Sequence, residues 1–449
     1  MTAAPGVLGV LSWEARALLT RLARVKPFAL SETMVPAAGL SFEAQTAIER
    51  HLARGRRRLA RLVRDYLRWL EQPQARSMPP AEAQRRFTLL RLQFNAILSQ
   101  FDIFAEVLAQ RSEHETGVWL SGLDVIAADG LRLPGDYYQA PPVICYVDRS
   151  HGAAIRRVRT RLPGGDENPV AVIRVPRERM VGTGIASSLI HEVGHQGSAL
   201  LGLMESLRPV LRGLQRGDGP RRLVWQCWER WLSETLADLW AVGRVGIAAP
   251  HGLMGVVSLP RPFVFRVDLS DPHSTPWIRV KMSCALGNAL YPDRQWDVFA
   301  RIWASLYPIE GIDGPRRALL EALDASLPAV ATLLVEHRAV ALRGKSLREA
   351  LTESERQPAR LRALRRAWHA QPHRRLRAPP SLALAVIAQG AADELVTPES
   401  ESRLVGELLT HWALQSTLDR SAICAQPALA ARPAARMTPT RVAAGLAAS

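Results

Sequence analysis

Apolar side chains recur near every 3.6 residues in two long stretches close to the N-terminus. Over residues 41–73, Phe42, Ile48, Leu52, Leu59, Leu62, Val63, Tyr66 and Leu70 fall on one helical stripe, and Ser41 can cap its start. A break at 72–80, ending in two prolines, precedes a second helix over about 81–111 with Phe87, Leu90, Phe94, Ile97, Leu98, Phe101, Phe104 and Leu108 on its stripe. Two long amphipathic helices joined by a short linker predict an antiparallel hairpin. After Gly117 the texture changes. Residues 143–147, 155–162 and 170–175 are short, rich in β-branched side chains and separated by turn clusters, so a small, largely antiparallel sheet is expected, with 170–175 as its edge strand. From Thr183 onward the helical period returns, with helices expected over 222–242, 281–290, 295–305, 314–325, 327–340, 346–370 and 398–416. Residues 424–449 are rich in alanine and proline, lack periodicity and are expected to be disordered. The fold class predicted is α+β, mostly helical. Its expected parts are an N-terminal helical region (1–116), a central domain (117–345), a C-terminal helical region (346–423) and the tail.

Composition fits this picture. The chain has 449 residues, 47% of them hydrophobic and 22% charged, enough apolar material for a sizeable core in two or three units. No uninterrupted apolar run reaches the roughly 18 residues of a bilayer span, and the N-terminus lacks a basic segment before its apolar stretch, so a cytoplasmic protein without a transmembrane segment is expected. The four cysteines are far apart and form no Cys-x-x-Cys pair, as expected in a reducing compartment.

The net charge is +16, almost all of it from arginine. An acidic protein partner is one explanation. The arginines are spread along the chain instead of forming one tail, which favours a general compositional bias, and no recognition motif supports nucleic-acid binding. Dense runs do occur at Arg54–Arg64 and again between Arg360 and Arg377. Solvated helix faces account for both. Trp225, Trp228, Trp231 and Trp240 crowd one helix and are expected to be core. His369 and His373 are four apart, but Pro372 interrupts any helix between them.

The sharpest chemical signal is Ser187-Ser188-Leu189-Ile190-His191-Glu192-Val193-Gly194-His195-Gln196. On a helix, His191 and His195 project from one face, so two imidazoles can converge on one metal ion, and zinc suits them. Glu192 lies beside the first histidine, placed to take a proton from a zinc-acidified water without itself being a ligand. A third histidine in the His-Glu-x-x-His-x-x-Gly-x-x-His pattern is excluded, because Ser198 and Leu201 hold the required glycine and histidine positions. Glu234, in Trp231-Leu232-Ser233-Glu234-Thr235-Leu236-Ala237-Asp238, can complete a His₂Glu site, with Asp238 one turn on as acceptor for the free ring N–H of His191. The helix bearing the histidines is rich in apolar and small residues, so it is expected to be buried and its polar groups to need partners.

In these two segments the chain resembles the gluzincin group of zinc metallopeptidases, whose familiar member is thermolysin. The resemblance implies a zinc-dependent peptidase acting on a peptide or protein substrate. His191, His195 and Glu234 would be ligands, Glu192 the general base and Asp238 the partner of His191. It also implies a downstream residue that steadies the developing oxyanion. His273 is the first candidate, with Arg279 and Tyr291 as rivals for oxyanion or substrate contact. The alternative is a catalytically silent, zinc-containing helical scaffold with an arginine-rich interaction surface.

Overall fold

A computed structural model of the protein describes residues 6–24, 34–148, 153–176, 182–216 and 219–430. The fold is α+β and mostly helical, with one three-stranded sheet. The predicted hairpin forms from helices Phe42–Glu71 and Pro80–Ala109. Ser41 caps the first of them, its hydroxyl accepting from the Ala44 amide at 3.2 Å. Helix Val7–Arg24 packs on this pair and buries Leu11, Ala15, Leu18 and Leu22.

The sheet has the order β1-β3-β2, from Val143–Asp148, Ala154–Arg156 and Ala171–Pro176 numbered in chain order. It is mixed, not largely antiparallel as expected: β3 runs parallel to β1 and antiparallel to β2. Alternation of apolar residues reports burial of a face and carries nothing about strand direction. β3 is therefore central, and the outer strand beside it is β2, which corrects the assignment of 170–175 as the edge. β2 is also shorter than 155–162. Asn168 donates its side-chain amide to the Arg156 and Arg157 carbonyls and folds the chain into a loop immediately after the strand.

The sheet divides two cores. Val143, Cys145, Val147, Ala171, Ile173 and Val175 face the larger core, which runs through side chains from Leu120 to Trp412. Ile144 and Val172, on the opposite face, join the core of the N-terminal helices. Side chains beyond position 345, such as Leu347, Leu384 and Leu408, belong to that larger core, and helix His114–Leu131 runs straight across the expected boundary at 116/117.

Several helices differ from their sequence expectations. Residues 314–325 and 327–340 form one helix, Gly314–Val335, with Pro328 inside it. Burial of Leu320, Leu323, Leu327, Val330 and Leu334 on both sides of the proline holds it together. This helix is long and apolar enough by composition to cross a membrane, with a mean hydropathy of 1.7 over its best window. Its apolar stripe is occupied by the larger core. Residues 346–370 are broken into Leu347–Leu351 and Pro358–Ala370, because Pro358 forces the preceding residue into an extended conformation. Helix Pro398–Ala430 continues past Cys424, where disorder was expected; residues 431–449 lie outside the described residues. Helix Pro380–Ala392 escaped the periodicity because it is buried on all sides from Ser381 to Gly390.

Candidate metal centre

Two helices build the centre. The histidine helix, Thr183–Leu200, begins where the Glu401 carboxylate accepts from the Thr183 amide at 2.7 Å, placing negative charge at its positive end. The glutamate helix, Pro220–Val245, starts on a proline and stops at Gly246, whose φ of 57° a glycine adopts without strain. The long spacing between His195 and Glu234 is taken up by an intervening helix, Leu203–Gly213, which buries Leu203, Leu207 and Leu211.

The histidine and glutamate helices touch through glycines. A methyl group on Gly194 would come within 2.9 Å of the Ala237 backbone, and one on Gly197 within 2.3 Å of the Trp240 ring. Trp240 is itself fixed, donating its indole N–H to the Gly130 carbonyl at 3.0 Å. Trp225, Trp228, Trp231 and Trp240 are all buried, as core residues should be.

This close approach brings the predicted side chains together. His191 Nε2 lies 3.2 Å from Glu234 Oε2, and His195 Nε2 lies 3.3 Å from Glu234 Oε1. The candidate ligand atoms of the three residues all fall within 4.8 Å of one another. The two imidazole rings stand nearly perpendicular, at 85°. Nδ1 of His191 donates to Asp238 at 2.7 Å, which turns Nε2 toward Glu234, and Ser233 Oγ stands 3.3 Å from Nδ1 of His195. Glu192 is 8% exposed and lines the same cleft without joining the three.

Arg279 is placed by helix Pro276–Leu290, which starts earlier than the expected 281–290 and so includes it. Its guanidinium grips Asp238 in a fork, Nε to Oδ2 at 2.8 Å and Nη2 to Oδ1 at 3.0 Å, and Nη2 reaches Glu234 at 3.3 Å. Arg279 also lines the cleft. His273 stands at the mouth, with Nδ1 on Asp271 at 2.7 Å and Nε2 at 3.5 Å from Glu234 Oε2. Tyr291 is not at the site. It is fully buried, and its hydroxyl donates to the Gly243 carbonyl at 2.9 Å, so its candidacy for oxyanion contact is withdrawn: Tyr291 ends the helix that Arg279 begins, on the far side of its packing.

The charges balance within the cluster. Burial by itself would lower the His191 pKa, but the charge and hydrogen bond of Asp238, with Glu234, push it up to about 9. Burial works against ionisation of Asp238, yet Arg279 and His191 bring its carboxyl down to about 2. Glu234 is likewise held well below the usual carboxylate range, its burial outweighed by the two histidines. Glu192 goes the other way. Burial raises it, against the pull of His191 and His195.

The cleft over these groups has a volume of about 400 Å³. One wall is apolar, built from Ala249, Leu253, Val256, Val257, Leu259 and Phe263, and the rim carries Arg266, Asp268, Asp271 and His273. Helix Ala248–Val257, which supplies most of that wall, escaped the sequence reading because it is apolar nearly all round. Ala153, next to the outer strand β2, also borders the cleft. No family model, no curated protein and no solved structure matches the chain.

Proposed function

We propose that the protein is a zinc-dependent metallopeptidase with a gluzincin-like centre, hydrolysing a peptide or protein substrate. The observation that carries this reading is the convergence of His191, His195 and Glu234 in an open cleft, with Glu192 beside them and outside the set. The donors suit zinc: two imidazoles and one carboxylate offer ligand atoms within 4.8 Å of one another, with the Nε2 atoms of His191 and His195 3.2 and 3.3 Å from the two separate oxygens of Glu234. The charge also suits it. A divalent ion and Arg279 together balance Glu192, Glu234 and Asp238 when all three carboxylates are ionised.

Zinc bound there would supply Lewis acidity and a water acidified toward neutral pH. Glu192, buried at the cleft floor and raised in pKa, is suited to take a proton and return it to a leaving amine. Asp238 accepts from Nδ1 of His191, so an ion displacing the proton on Nε2 would find that nitrogen oriented toward it, and Arg279 holds Asp238. His273, which donates from Nδ1 to Asp271, presents Nε2 at the mouth, where the ring in its imidazolium form would donate to an oxyanion.

One observation favours a second reading. Arg279 Nη2 lies 3.5 Å from His191 Nε2, so the same groups also close as a metal-free ion-pair core in a non-catalytic protein. Elemental analysis and a peptide-library cleavage assay separate the two. The peptidase reading expects about one zinc per chain in wild type, its loss in Glu234→Ala, and a Glu192→Gln variant that keeps zinc but loses about 10²–10⁴-fold in turnover. Wild-type protein that takes up no zinc from a zinc-replete buffer would overturn it.

A further inference from the structure

The sheet carries a second concavity on the face that bears Tyr146, Val172 and Arg174. It is about 520 Å³ in volume, lies between helix Pro80–Ala109 and the sheet, and gathers Arg156, Arg157, Arg161 and Arg174. Strand register explains part of the crowding. Arg174 of β3 is opposite Ala154 of β2 and Arg156 is opposite Val172, so the two arginines are diagonal neighbours on one face, about 7–8 Å apart by ordinary sheet geometry. The loop after β2 brings the other two. It is held rigid by backbone bonds from Arg159 to Asn168 and from Asn168 to Thr160, and by the Asn168 side chain, which is 1% exposed. Arg159 takes a left-handed φ of 62° in this loop, a conformation that costs energy in a non-glycine residue.

Four arginines lining one concavity concentrate positive charge there, and few carboxylates offset it. Arg174 pairs with Asp148 on the rim at 3.4 Å, and its Nε is buried without a hydrogen-bond partner. Glu106 is the one carboxylate among the lining residues. Among the described residues, the side chains of Arg156, Arg157 and Arg161 make no ion pair. Among the described residues, counting Glu106 and Asp148 against the four arginines leaves two positive charges; Glu167, which pairs with Arg161 in a β-bridge, lies outside the lining.

We propose that this pocket binds a phosphorylated small molecule through its phosphate group. A phosphate monoester carries about −1.5 to −2 charges at neutral pH, which matches the excess, and its oxygens fit the planar fork of guanidinium. The pocket is of small-ligand size, about 520 Å³, against about 980 Å³ for the concavity that Arg56, Arg57, Arg61, Arg64 and Arg68 line on the hairpin together with Asp65 and Glu71. This site is independent of the zinc reading and stands whether or not the cleft hydrolyses anything.

The test is calorimetric titration of the full chain with inorganic phosphate and with pyrophosphate, using succinate as a dicarboxylate of similar charge. Saturable binding of pyrophosphate at one equivalent is expected, weakened roughly tenfold or more in Arg156→Gln/Arg157→Gln and in Arg161→Gln. These side chains are exposed and unpaired, so the variants should melt at the wild-type temperature. The control Arg50→Gln/Arg54→Gln, on the exposed face of the hairpin, should bind as wild type does. Absence of saturable binding, equal weakening in the control, or succinate binding as tight as pyrophosphate would each overturn the proposal.

Discussion

If the close packing of two helices sets the ligand geometry, a single methyl group at their contact should damage the centre from a distance. Gly194→Ala provides it. The added Cβ would sit 2.9 Å from the Ala237 backbone and 2.8 Å from Trp240 Cβ, whereas ordinary contact begins near 3.4 Å, so the helices must part by about 0.5 Å. Ala237 lies between Glu234 and Asp238 on the glutamate helix, and backbone cannot move aside as a flexible side chain can. The distances of 3.2 and 3.3 Å between the histidines and Glu234 would open by a similar amount, beyond the tolerance of roughly 0.2 Å for a metal–ligand bond. The expected result is about 10–100-fold weaker zinc binding in competition with a chelating chromophore, together with a loss of about 1–3 kcal/mol in urea unfolding from overpacking. Gly184→Ala is the control. Nothing lies within 4 Å of its added methyl, so zinc affinity should hold and stability should stay level or rise slightly. If Gly194→Ala binds zinc as tightly as wild type and unfolds at the same urea concentration, helix proximity does not set the site.

Asp238→Asn should lower zinc affinity about 10–100-fold, because the amide loses the negative charge beside His191 and puts an NH₂ group where Oδ2 accepts from Arg279 Nε; unchanged affinity in the same competition assay would contradict this. Tyr291→Phe should leave peptide turnover at the wild-type level while costing about 1 kcal/mol in urea unfolding, since it removes the hydroxyl's bond to the Gly243 carbonyl and its longer contacts with the Leu351 carbonyl and the Glu353 amide, all away from the cleft. A large fall in turnover would return Tyr291 to the mechanism. His51 is 5% exposed and bonded to Gln100 at 2.8 Å, and its burial lowers its pKa from 6.5 despite that bond. Below pH 6.5 the unfolded chain therefore binds the proton more readily, and stability should fall as the pH drops from 7 toward 5. In His51→Gln that part of the decline should flatten, which urea titrations at several pH values would reveal.

The residues of the candidate centre were legible in the chain because their spacing rests on local periodicity. Four residues separate His191 from His195 and Glu234 from Asp238, and an α-helix converts that interval into a shared face whatever surrounds it. The hairpin helices were legible for the same reason, each being half-buried and so alternating polar with apolar at the helical period. Helices buried on all sides, such as Pro380–Ala392 and Ala248–Val257, have no such alternation and could be found only in the fold. The direction of β3 against β1 likewise depends on how the chain returns to the sheet, which no strand sequence records.

Tertiary structure alone decided which distant groups meet. Arg279 and Tyr291 were equal candidates in sequence, but one lies in the first turn of its helix, against Asp238, and the other ends that helix in the core. The apolar wall of the cleft, the outer position of β2 and the gathering of four arginines behind the sheet arise from elements far apart in the chain. Intervals of three or four residues are set by backbone geometry, while encounters across tens of residues are set by which apolar faces bury one another. Only the folded chain contains that second kind of information.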